Sequence, residues 1–215
     1  MYDTVIFDLD GTLLNTLDDL KNSVNFAFEK YGFPKRSIDE IRSFVGNGVE
    51  RLVMLSVPVG TDEATAGEVL AVFKAHYEKN SRVLTAPYDG IKDLLGELSR
   101  RGIKMAVVSN KFDAAVKELC SDFFGGLLAA AIGESDTVKR KPAPDSVFEA
   151  LSQLGSRAEC ALYVGDSEVD VATAQNAGLF CVGVTWGFRS RALLEEKGAD
   201  CIIERPSELL GVLAL

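Results

Sequence analysis

Two aspartates, separated by one residue, follow a short apolar run near the start of the sequence. The run is Thr4 to Phe7, the acids are Asp8 and Asp10, and Gly11 and Thr12 come next. A buried carboxylate is costly unless a cation, a proton or hydrogen bonds compensate its charge. Gly11 permits backbone conformations that other residues avoid, so the turn could offer N–H groups and the Thr12 hydroxyl to an anion. The segment predicts either a site for a cation and an anion or an ordinary acid-capped turn.

Two more groups that could do chemistry follow later apolar runs. Ser109 and Asn110 come after the run at 103–108, and Lys141 begins a Lys-Pro-Ala-Pro sequence before a predicted helix. Each has an ordinary alternative explanation. Ser109 could cap a helix, and Lys141 could be a solvated charge in the basic run 139–141.

A further pair of aspartates lies near the end of another apolar run. Asp166 follows the run at 160–164, and Asp170 lies one helical turn further on. These acids could simply stabilise the start of the predicted helix. The combined pattern of acids, a hydroxyl and an amine, each after a separate run, is better explained by one shared site than by independent coincidences.

The apolar runs alternate with helical patterns, which is typical of a parallel sheet covered by helices on both faces. Right-handed crossovers bring the carboxyl ends of all strands to one edge, where ligands bind in open α/β sheets. We therefore predict an α/β, Rossmann-like core with the polar groups together at that edge. The predicted strands are 4–7, 103–108, 127–132, 160–164, 180–184 and 199–203.

A continuous helical pattern separates the first predicted strand from the others. It extends from about residue 17 to residue 80 and is divided into four helices at glycines and prolines. Such a block, inserted after one strand, predicts a four-helix cap domain. The predicted division is a core of residues 1–14 and 84–215 and a cap of residues 15–83.

The composition is that of a globular protein and excludes several classes of partner. Of the 215 residues, 47% are hydrophobic and 26% are charged, and the net charge is −9. A nucleic-acid surface, which needs clustered basic residues, is therefore not expected. No apolar run is long enough to cross a membrane, and the first residues lack the basic and apolar regions of a signal peptide. We expect a cytoplasmic monomer or homodimer whose cysteines are free.

Four motifs in chain order resemble those of haloacid dehalogenase superfamily phosphatases with a helical cap, most closely the phosphoglycolate phosphatase-like branch. They are Asp8-Leu9-Asp10-Gly11-Thr12-Leu13, Ser109, Lys141-Pro142-Ala143-Pro144 and Gly165-Asp166-Ser167-Glu168-Val169-Asp170. The resemblance covers essentially the whole chain, and the first and fourth motifs are its most specific parts. It implies a hydrolase that uses Mg²⁺ and acts on a phosphoryl group.

The resemblance implies a role for each matched residue. Asp8 would attack phosphorus to form an aspartyl-phosphate, and Asp10 would protonate the leaving alcohol and then activate water. Mg²⁺ would be held by Asp8, the backbone carbonyl of Asp10 and Asp166, with Asp170 orienting water or Asp166. The groups implied to bind phosphoryl oxygens are the Ser109 hydroxyl, the Lys141 ammonium and the backbone N–H groups of Leu9 and Asn110.

The substrate implied by the resemblance is a small phosphorylated metabolite, with 2-phosphoglycolate as the first candidate. A pyrophosphatase, a nucleotide phosphatase and a sugar-phosphate phosphatase are alternatives on the same scaffold. The phosphomutase branch usually carries valine where this chain has Thr12, which favours hydrolysis over isomerisation. A catalytically idle binding module is an alternative of another class, but Asp8 and Asp10 are both present.

Residues of the predicted cap would select the substrate. The stretch from Phe44 to Leu52 resembles the specificity loop of phosphoglycolate phosphatases. Its glycines permit close backbone approach, and Arg51 or Lys21 could meet a substrate carboxylate. In the alternative explanation the glycines form an inter-helix turn and Arg51 is solvated. The candidate residues are Gly46, Asn47, Gly48, Arg51 and Lys21.

Overall fold

The computed structural model describes residues 2–214, which form two compact units. One unit contains the described chain up to Leu14 and from Pro87 onward, and the other runs from Asn15 to Ala86. Among these residues, none of the helices combines the length and the apolar character needed to cross a bilayer.

The first unit is built on a six-stranded parallel sheet. The strands of the chain are β1 (Thr4–Phe7), β2 (Leu14–Asn15), β3 (Ala86–Pro87), β4 (Lys104–Phe112), β5 (Ala130–Glu134), β6 (Ala161–Gly165), β7 (Phe180–Val184) and β8 (Cys201–Ile203). The order in the large sheet is β5-β4-β1-β6-β7-β8, and β2 and β3 form a separate pair. Every neighbouring pair in the large sheet is parallel, so the predicted α/β fold is confirmed.

The second unit consists of four helices. They are α1 (Leu17–Lys30), α2 (Ile38–Phe44), α3 (Gly48–Ser56) and α4 (Glu63–Asn80). Ser37 begins α2 through a reciprocal capping box with Glu40, and the Asp62 carboxylate caps α4. These caps accept hydrogen bonds from N–H groups that have no partner within the helix, and they define where each helix starts.

Helices cover both faces of the sheet because alternate strand residues point to opposite sides. Val5 and Phe7 pack on one side with apolar residues from three helices, while Ile6 packs on the other side with residues from the remaining three. The first group is α5 (Ile91–Arg100), α6 (Asp113–Phe124) and α10 (Leu209–Val212), and the second is α7 (Asp145–Leu154), α8 (Glu168–Ala177) and α9 (Arg191–Lys197). Short 3₁₀ turns lie at Gly125–Leu127, Ala158–Cys160 and Pro206–Glu208.

Strand β4 is longer than the sequence prediction of 103–108. It continues to Phe112, which pairs with Glu134 of β5, and the register is irregular between Val108 and Phe112. The Ser109 hydroxyl accepts a hydrogen bond from the Lys111 N–H at 3.2 Å within this irregular part. Ser109 therefore belongs to a distorted strand and does not cap a helix.

Strand β5 begins later than the predicted start at Leu127. Helix α6 ends at Phe124, and Gly125, with a positive φ of 58°, follows it and begins a 3₁₀ turn that includes Leu127. Pairing with β4 starts only at Ala129, which donates its N–H to the Met105 carbonyl at 2.9 Å. Leu127 is therefore part of the 3₁₀ turn and not of β5.

The sheet register brings the functional segments side by side. Phe7 is opposite Val107 on one neighbouring strand and Val164 on the other. Asp8 then donates its backbone N–H to the Val164 carbonyl at 2.9 Å. The residues that follow these three strands leave the sheet at the same edge.

In the helical unit, Asp19 is a buried carboxylate that binds a neighbouring segment. It accepts backbone N–H groups from Val83, Leu84 and Thr85 at 2.9–3.1 Å and the Thr85 hydroxyl at 2.9 Å. The Asp19 carboxylate therefore fastens the segment after α4 to the first helix.

Asp19→Ala should lower the free energy of unfolding by about 2–4 kcal/mol, because several N–H groups lose their acceptor. Asp18→Ala is the matched control, since Asp18 is more exposed and pairs only at the surface with Lys21. Its effect should stay below about 1 kcal/mol. Urea unfolding followed by circular dichroism measures both, and equal losses would contradict the assigned role of Asp19.

Candidate active site

The turn after β1 is shaped by its own backbone. The Leu9 carbonyl accepts hydrogen bonds from the N–H groups of Leu13 and Leu14 at 3.0 and 2.9 Å, which reverses the chain directly after Asp8. Gly11 has a φ of 98°, and a Cβ there would lie 2.4 Å from an Asp166 oxygen. Both the backbone angle and the lack of space require glycine.

The Lys141 ammonium lies at the centre of the site. Its Nζ is 2.6 Å from Asp8 Oδ1, 2.8 Å from Asp170 Oδ1 and 3.0 Å from the Tyr163 hydroxyl. The Lys141 side chain is only 4% exposed. One cation thus joins the end of β1 and the middle of β6 to the first turn of α8.

Asp170 uses both carboxylate oxygens inside the protein. Oδ1 accepts from Lys141 and from the Tyr163 hydroxyl at 2.9 Å, while Oδ2 accepts from the Ser167 N–H and hydroxyl at 3.0 and 2.6 Å. Ser167 in return caps α8 by accepting the Asp170 N–H. Asp170 therefore orients Lys141 and the loop that carries Asp166.

Asp166 is enclosed by backbone and small residues. Its oxygens accept hydrogen bonds from the Thr12 hydroxyl at 3.1 Å and the Phe188 N–H at 2.7 Å. A Cβ on Gly187 would lie 2.3 Å from the Asp166 Cβ. The loop after β7 is held in turn by Trp186, whose indole N–H donates to the Thr12 carbonyl at 2.9 Å. The orientation of Asp166 is thus fixed from two sides.

A second lysine pairs with Asp10. Lys111 Nζ lies 2.9 Å from Asp10 Oδ1, and the lysine side chain is 4% exposed against 16% for the aspartate. The Ser109 hydroxyl is 3.5 Å from the other Asp10 oxygen. The irregular end of β4 therefore directs a hydroxyl and an ammonium towards the second acid of the motif.

Two asparagines hold the loop that carries Lys141. The Asn110 side chain accepts the Lys141 N–H at 2.8 Å and donates to the Lys141 carbonyl at 3.1 Å. Asn176, in α8, donates to the Pro142 carbonyl at 2.8 Å. The lysine is positioned by these backbone contacts as well as by its own ion pairs.

Burial and neighbouring charges move the pKa values of the cluster in different directions. Burial raises the pKa of the Asp8 carboxyl well above its usual value, and the Asp170 charge adds to this effect. Burial likewise raises the pKa of Asp166 to about 7. For Asp170 burial acts in the same direction, but the Lys141 ammonium outweighs it and the pKa is lowered. For Asp8 and Asp166, burial and the Asp170 charge therefore outweigh the positive charge nearby.

The donor set fits a hard divalent cation such as Mg²⁺. Oxygens of Asp8, Asp166 and Asp170 lie within 4.8 Å of one another, and carboxylate oxygen is the ligand that this ion prefers. The oxygens of Asp170 are already bonded to protein donors, so Asp8 and Asp166 are the side chains that would hold it. Four site carboxylates face two lysine ammonium groups, which leaves the charge of one divalent cation to be supplied.

Comparison with known proteins places this geometry in a family. The model of haloacid dehalogenase-like hydrolases matches residues 5–184. A phosphoglycolate phosphatase from Pseudomonas putida is 32% identical over 212 residues, which cover 96% of this chain and 78% of the relative.

The chain belongs to the haloacid dehalogenase-like hydrolases.

Two solved structures are similar to this chain over nearly its whole length. A protein from Lactobacillus delbrueckii subsp. bulgaricus, proposed to be a phosphoglycolate phosphatase, has a TM-score of 0.94 at 35% identity and covers 99% of this chain and 98% of its own. CbbY from Rhodobacter sphaeroides in complex with phosphate has a TM-score of 0.75 at 26% identity, with 100% of each chain covered. The present hydrolase is a phosphoric monoester hydrolase similar to the phosphoglycolate phosphatases, and the resemblance found in its motifs is confirmed.

All the residues that the motifs assign to the core of this hydrolase lie at one edge of the sheet. Two of them make contacts that the sequence does not predict, since the Thr12 hydroxyl binds Asp166 and the Asn110 side chain binds the Lys141 backbone. The assembled residues are Asp8, Leu9, Asp10, Thr12, Ser109, Asn110, Lys141, Asp166 and Asp170.

The residues predicted to select the substrate lie in the helical unit. Gly46 has a φ of 125° in the turn before α3, and Gly48 has a φ of 80° as the first residue of that helix. Lys21 is paired with Asp18 at 2.7 Å. Arg51 is exposed on α3. Substrate selection stays a prediction for all five, Gly46, Asn47, Gly48, Arg51 and Lys21.

Sequence reasoning missed several residues that support the site. Tyr163 gives a signal in retrospect, because a tyrosine in a fully apolar strand needs a partner for its hydroxyl. Lys111 directly follows Ser109 and Asn110 but gives no sign of its pairing with Asp10. Gly187 and Asn176 are indistinguishable in sequence from an ordinary turn glycine and a solvated helix residue.

Gly187→Ala should displace Asp166, because the new methyl group overlaps the carboxylate side chain and the Gly11 carbonyl. We expect a loss of about 1–3 kcal/mol in unfolding free energy and at least tenfold weaker Mg²⁺ binding by calorimetry. Gly96→Ala is the matched control, since nothing lies within 4 Å of its Cβ position inside α5. That variant should be slightly more stable. Unchanged Mg²⁺ affinity in Gly187→Ala would contradict the role of this loop.

Metal-free Asp166→Asn should be stabilised relative to the parent by an amount that grows with pH. Because the folded parent raises the Asp166 pKa from 3.8 to about 7, its carboxyl destabilises the fold increasingly between these values and fully above them. The gain from the substitution should be about 2 kcal/mol larger at pH 8 than at pH 5. Urea unfolding in EDTA measures it, with the exposed Asp136→Asn as control. A gain independent of pH would refute this origin of the shift.

Proposed function

We propose that the protein is a Mg²⁺-dependent phosphatase that hydrolyses 2-phosphoglycolate through an aspartyl-phosphate intermediate. The observation that carries the proposal is the arrangement of Asp8, whose carboxylate has an oxygen 2.6 Å from the Lys141 ammonium and an oxygen within 4.8 Å of one Asp166 oxygen. The Lys141 ammonium, and a metal ion that Asp166 would help to hold, would reduce the repulsion between the Asp8 carboxylate and an anionic phosphoryl group. Asp8 is therefore suited to attack phosphorus.

In the first step an Asp8 oxygen forms a bond to phosphorus. The bond between phosphorus and the ester oxygen breaks, and the leaving oxygen takes a proton from Asp10. Asp10 can act on the leaving oxygen because its side chain, two residues along the same turn, is partly exposed and lies beside the Ser109 hydroxyl. The acid at this position contributes a proton where negative charge develops.

In the second step a water molecule attacks phosphorus and gives a proton to Asp10. The bond between phosphorus and the Asp8 oxygen then breaks, which releases inorganic phosphate and restores the carboxylate. Each residue returns to its starting protonation state, so the cycle consumes only ester and water. Division into two displacements lets one acid serve both as proton donor and as base.

Phosphoryl oxygens need donors that are in position before the substrate arrives. The Lys141 ammonium is held by Asp170, Tyr163 and the Asn110 contact to its backbone. With the Ser109 hydroxyl and the backbone N–H groups of Leu9 and Asn110, it forms the proposed oxygen-binding set. Such fixed donors stabilise the charge that spreads over the equatorial oxygens.

A Mg²⁺ ion held by Asp8, the Asp10 carbonyl and Asp166 would neutralise negative charge between the nucleophile and the phosphoryl group. The protein residues prepare this site by fixing Asp166 through Thr12 and the Phe188 N–H. Asp170 remains bound to Ser167 and Lys141 and holds the surrounding loop.

The choice of substrate rests on the relatives, several of which are named phosphoglycolate phosphatase at about a third sequence identity over 96% of this chain. We propose that the helical unit contributes to selection through Gly46, Asn47, Gly48, Arg51 and Lys21. Pyrophosphate, nucleotides and sugar phosphates are the competing substrates that the experiment has to exclude.

The decisive experiment measures initial rates of phosphate release from 2-phosphoglycolate, pyrophosphate, a nucleoside monophosphate and glucose phosphates. We expect the highest kcat/KM for 2-phosphoglycolate, activity that requires Mg²⁺ and is abolished by EDTA, and a loss of at least 10³-fold in Asp8→Asn because the nucleophile is removed. Asp136→Asn serves as the surface control. Retained turnover in Asp8→Asn would remove the covalent mechanism, and a low rank of 2-phosphoglycolate would remove the substrate.

A further inference from the structure

We propose that Lys111 determines specificity by binding a carboxylate located next to the phosphate ester oxygen of the substrate. The inference rests on the proposed function and deepens it. It names the substrate class as phosphate esters of 2-hydroxy acids, of which 2-phosphoglycolate is the smallest.

Lys111 is a buried cation in direct contact with the proposed acid–base residue. Its Nζ is 2.9 Å from Asp10 Oδ1, and only 4% of its side chain is exposed. Keeping an ammonium group buried is costly unless anionic or hydrogen-bonding groups surround it. The mechanism proposed above gives this lysine no phosphoryl oxygen to bind, since Lys141 serves that purpose. When Asp10 is protonated for the first step, the Lys111 ammonium no longer faces its charge and can bind an anionic group of the substrate.

The backbone fixes where the Lys111 ammonium can reach. Lys111 extends from the irregular end of β4, and its N–H donates to the Ser109 hydroxyl at 3.2 Å. Ser109 itself lies 3.5 Å from Asp10. Lys111 is the next residue after Ser109 and Asn110, which belong to the proposed oxygen-binding set. All three residues are in β4, and the Lys111 side chain contacts Asp10 from that strand.

The chemistry of the ester predicts what lies beside that ammonium. In the proposed first step, Asp10 is hydrogen-bonded to the ester oxygen, at a distance of about 2.7 Å. In 2-phosphoglycolate a single methylene carbon separates this oxygen from the carboxylate. The carboxylate therefore lies within a few ångströms of Asp10, where Lys111 Nζ is found. A lysine ammonium has three donors and can bind Asp10 and a substrate carboxylate together.

Charge balance supports the same assignment. Lys141 is already opposed by Asp8 and Asp170 at 2.6 and 2.8 Å, and one divalent cation would offset the remaining site charge. A substrate with both a phosphate and a carboxylate brings more negative charge than a simple ester. Once Asp10 is protonated for the first step, the Lys111 ammonium is the positive charge that remains to compensate the substrate carboxylate.

The test compares 2-phosphoglycolate with ethyl phosphate, which has the same number of carbon atoms and no carboxylate. In Lys111→Met we expect kcat/KM for 2-phosphoglycolate to fall about 10- to 100-fold more than for ethyl phosphate, mainly through KM. Lys111→Arg, which keeps the charge, should recover part of the preference. Lys117→Met is the matched control, because Lys117 forms an exposed pair with Asp113 on α6, and its ratio should equal that of the parent.

The outcomes separate this inference from the proposed function. A parent enzyme that prefers 2-phosphoglycolate, with an unchanged ratio in Lys111→Met, would overturn only the inference. Equal losses of kcat/KM for both esters in Lys111→Met would also overturn the inference, because they would show that Lys111 only positions Asp10. A parent enzyme without any preference would overturn the proposed substrate and the inference together. Thermal unfolding shows whether each variant is folded, and Lys111→Gln provides the same comparison if the methionine variant is not.

Discussion

The ion pairs of Lys141 with Asp8 and Asp170 are the interaction on which the rest of this site depends. The three groups come from the loop before α7, the end of β1 and the first turn of α8, so their contacts join separate parts of the fold. Burial alone would favour the neutral amine, but the two carboxylates outweigh burial and raise the pKa of Lys141 well above its usual value. The lysine therefore stays charged in an almost dry environment.

Support for this cation comes from groups that carry no charge. Tyr163 lies wholly within the sheet, and its hydroxyl contacts both Lys141 and Asp170. Asn110 binds the Lys141 backbone on both its N–H and its carbonyl. Removal of such a partner would leave a buried charge with fewer hydrogen bonds, which is more costly than the loss of a surface pair.

Much of this arrangement could be predicted from the sequence. Apolar runs alternating with helical patterns define the parallel sheet, and the position of Asp8, Ser109 and Asp166 after separate runs then brings them to one edge. This inference works because strand direction, handedness and the carboxyl-edge rule restrict the possible arrangements. It needs only the order of the elements, which a one- or two-residue error in a boundary leaves intact.

Other parts of the site could not be predicted, because they depend on contacts between residues distant in sequence. The sequence predicts that the Thr12 hydroxyl binds an anion. In the structure it donates a hydrogen bond to Asp166, which is 154 residues away. The extension of β4 to Phe112 depends on pairing with β5, which local propensity does not report. Lys111 acquires its contact with Asp10 only through that extension.

The need for glycine at three positions also depends on contacts with residues that are elsewhere in the fold. A Cβ on Gly11 or Gly187 would overlap Asp166, and a Cβ on Gly165 would lie 2.3 Å from the Asp170 Cβ. The shape of the acid cluster is therefore defined partly by absent side chains. Transplanting only the charged residues onto another α/β scaffold would reproduce the list of functional groups but not the free volume that their rotamers require. A designer who wished to transfer this chemistry would have to copy the bare backbone positions first and the acids second.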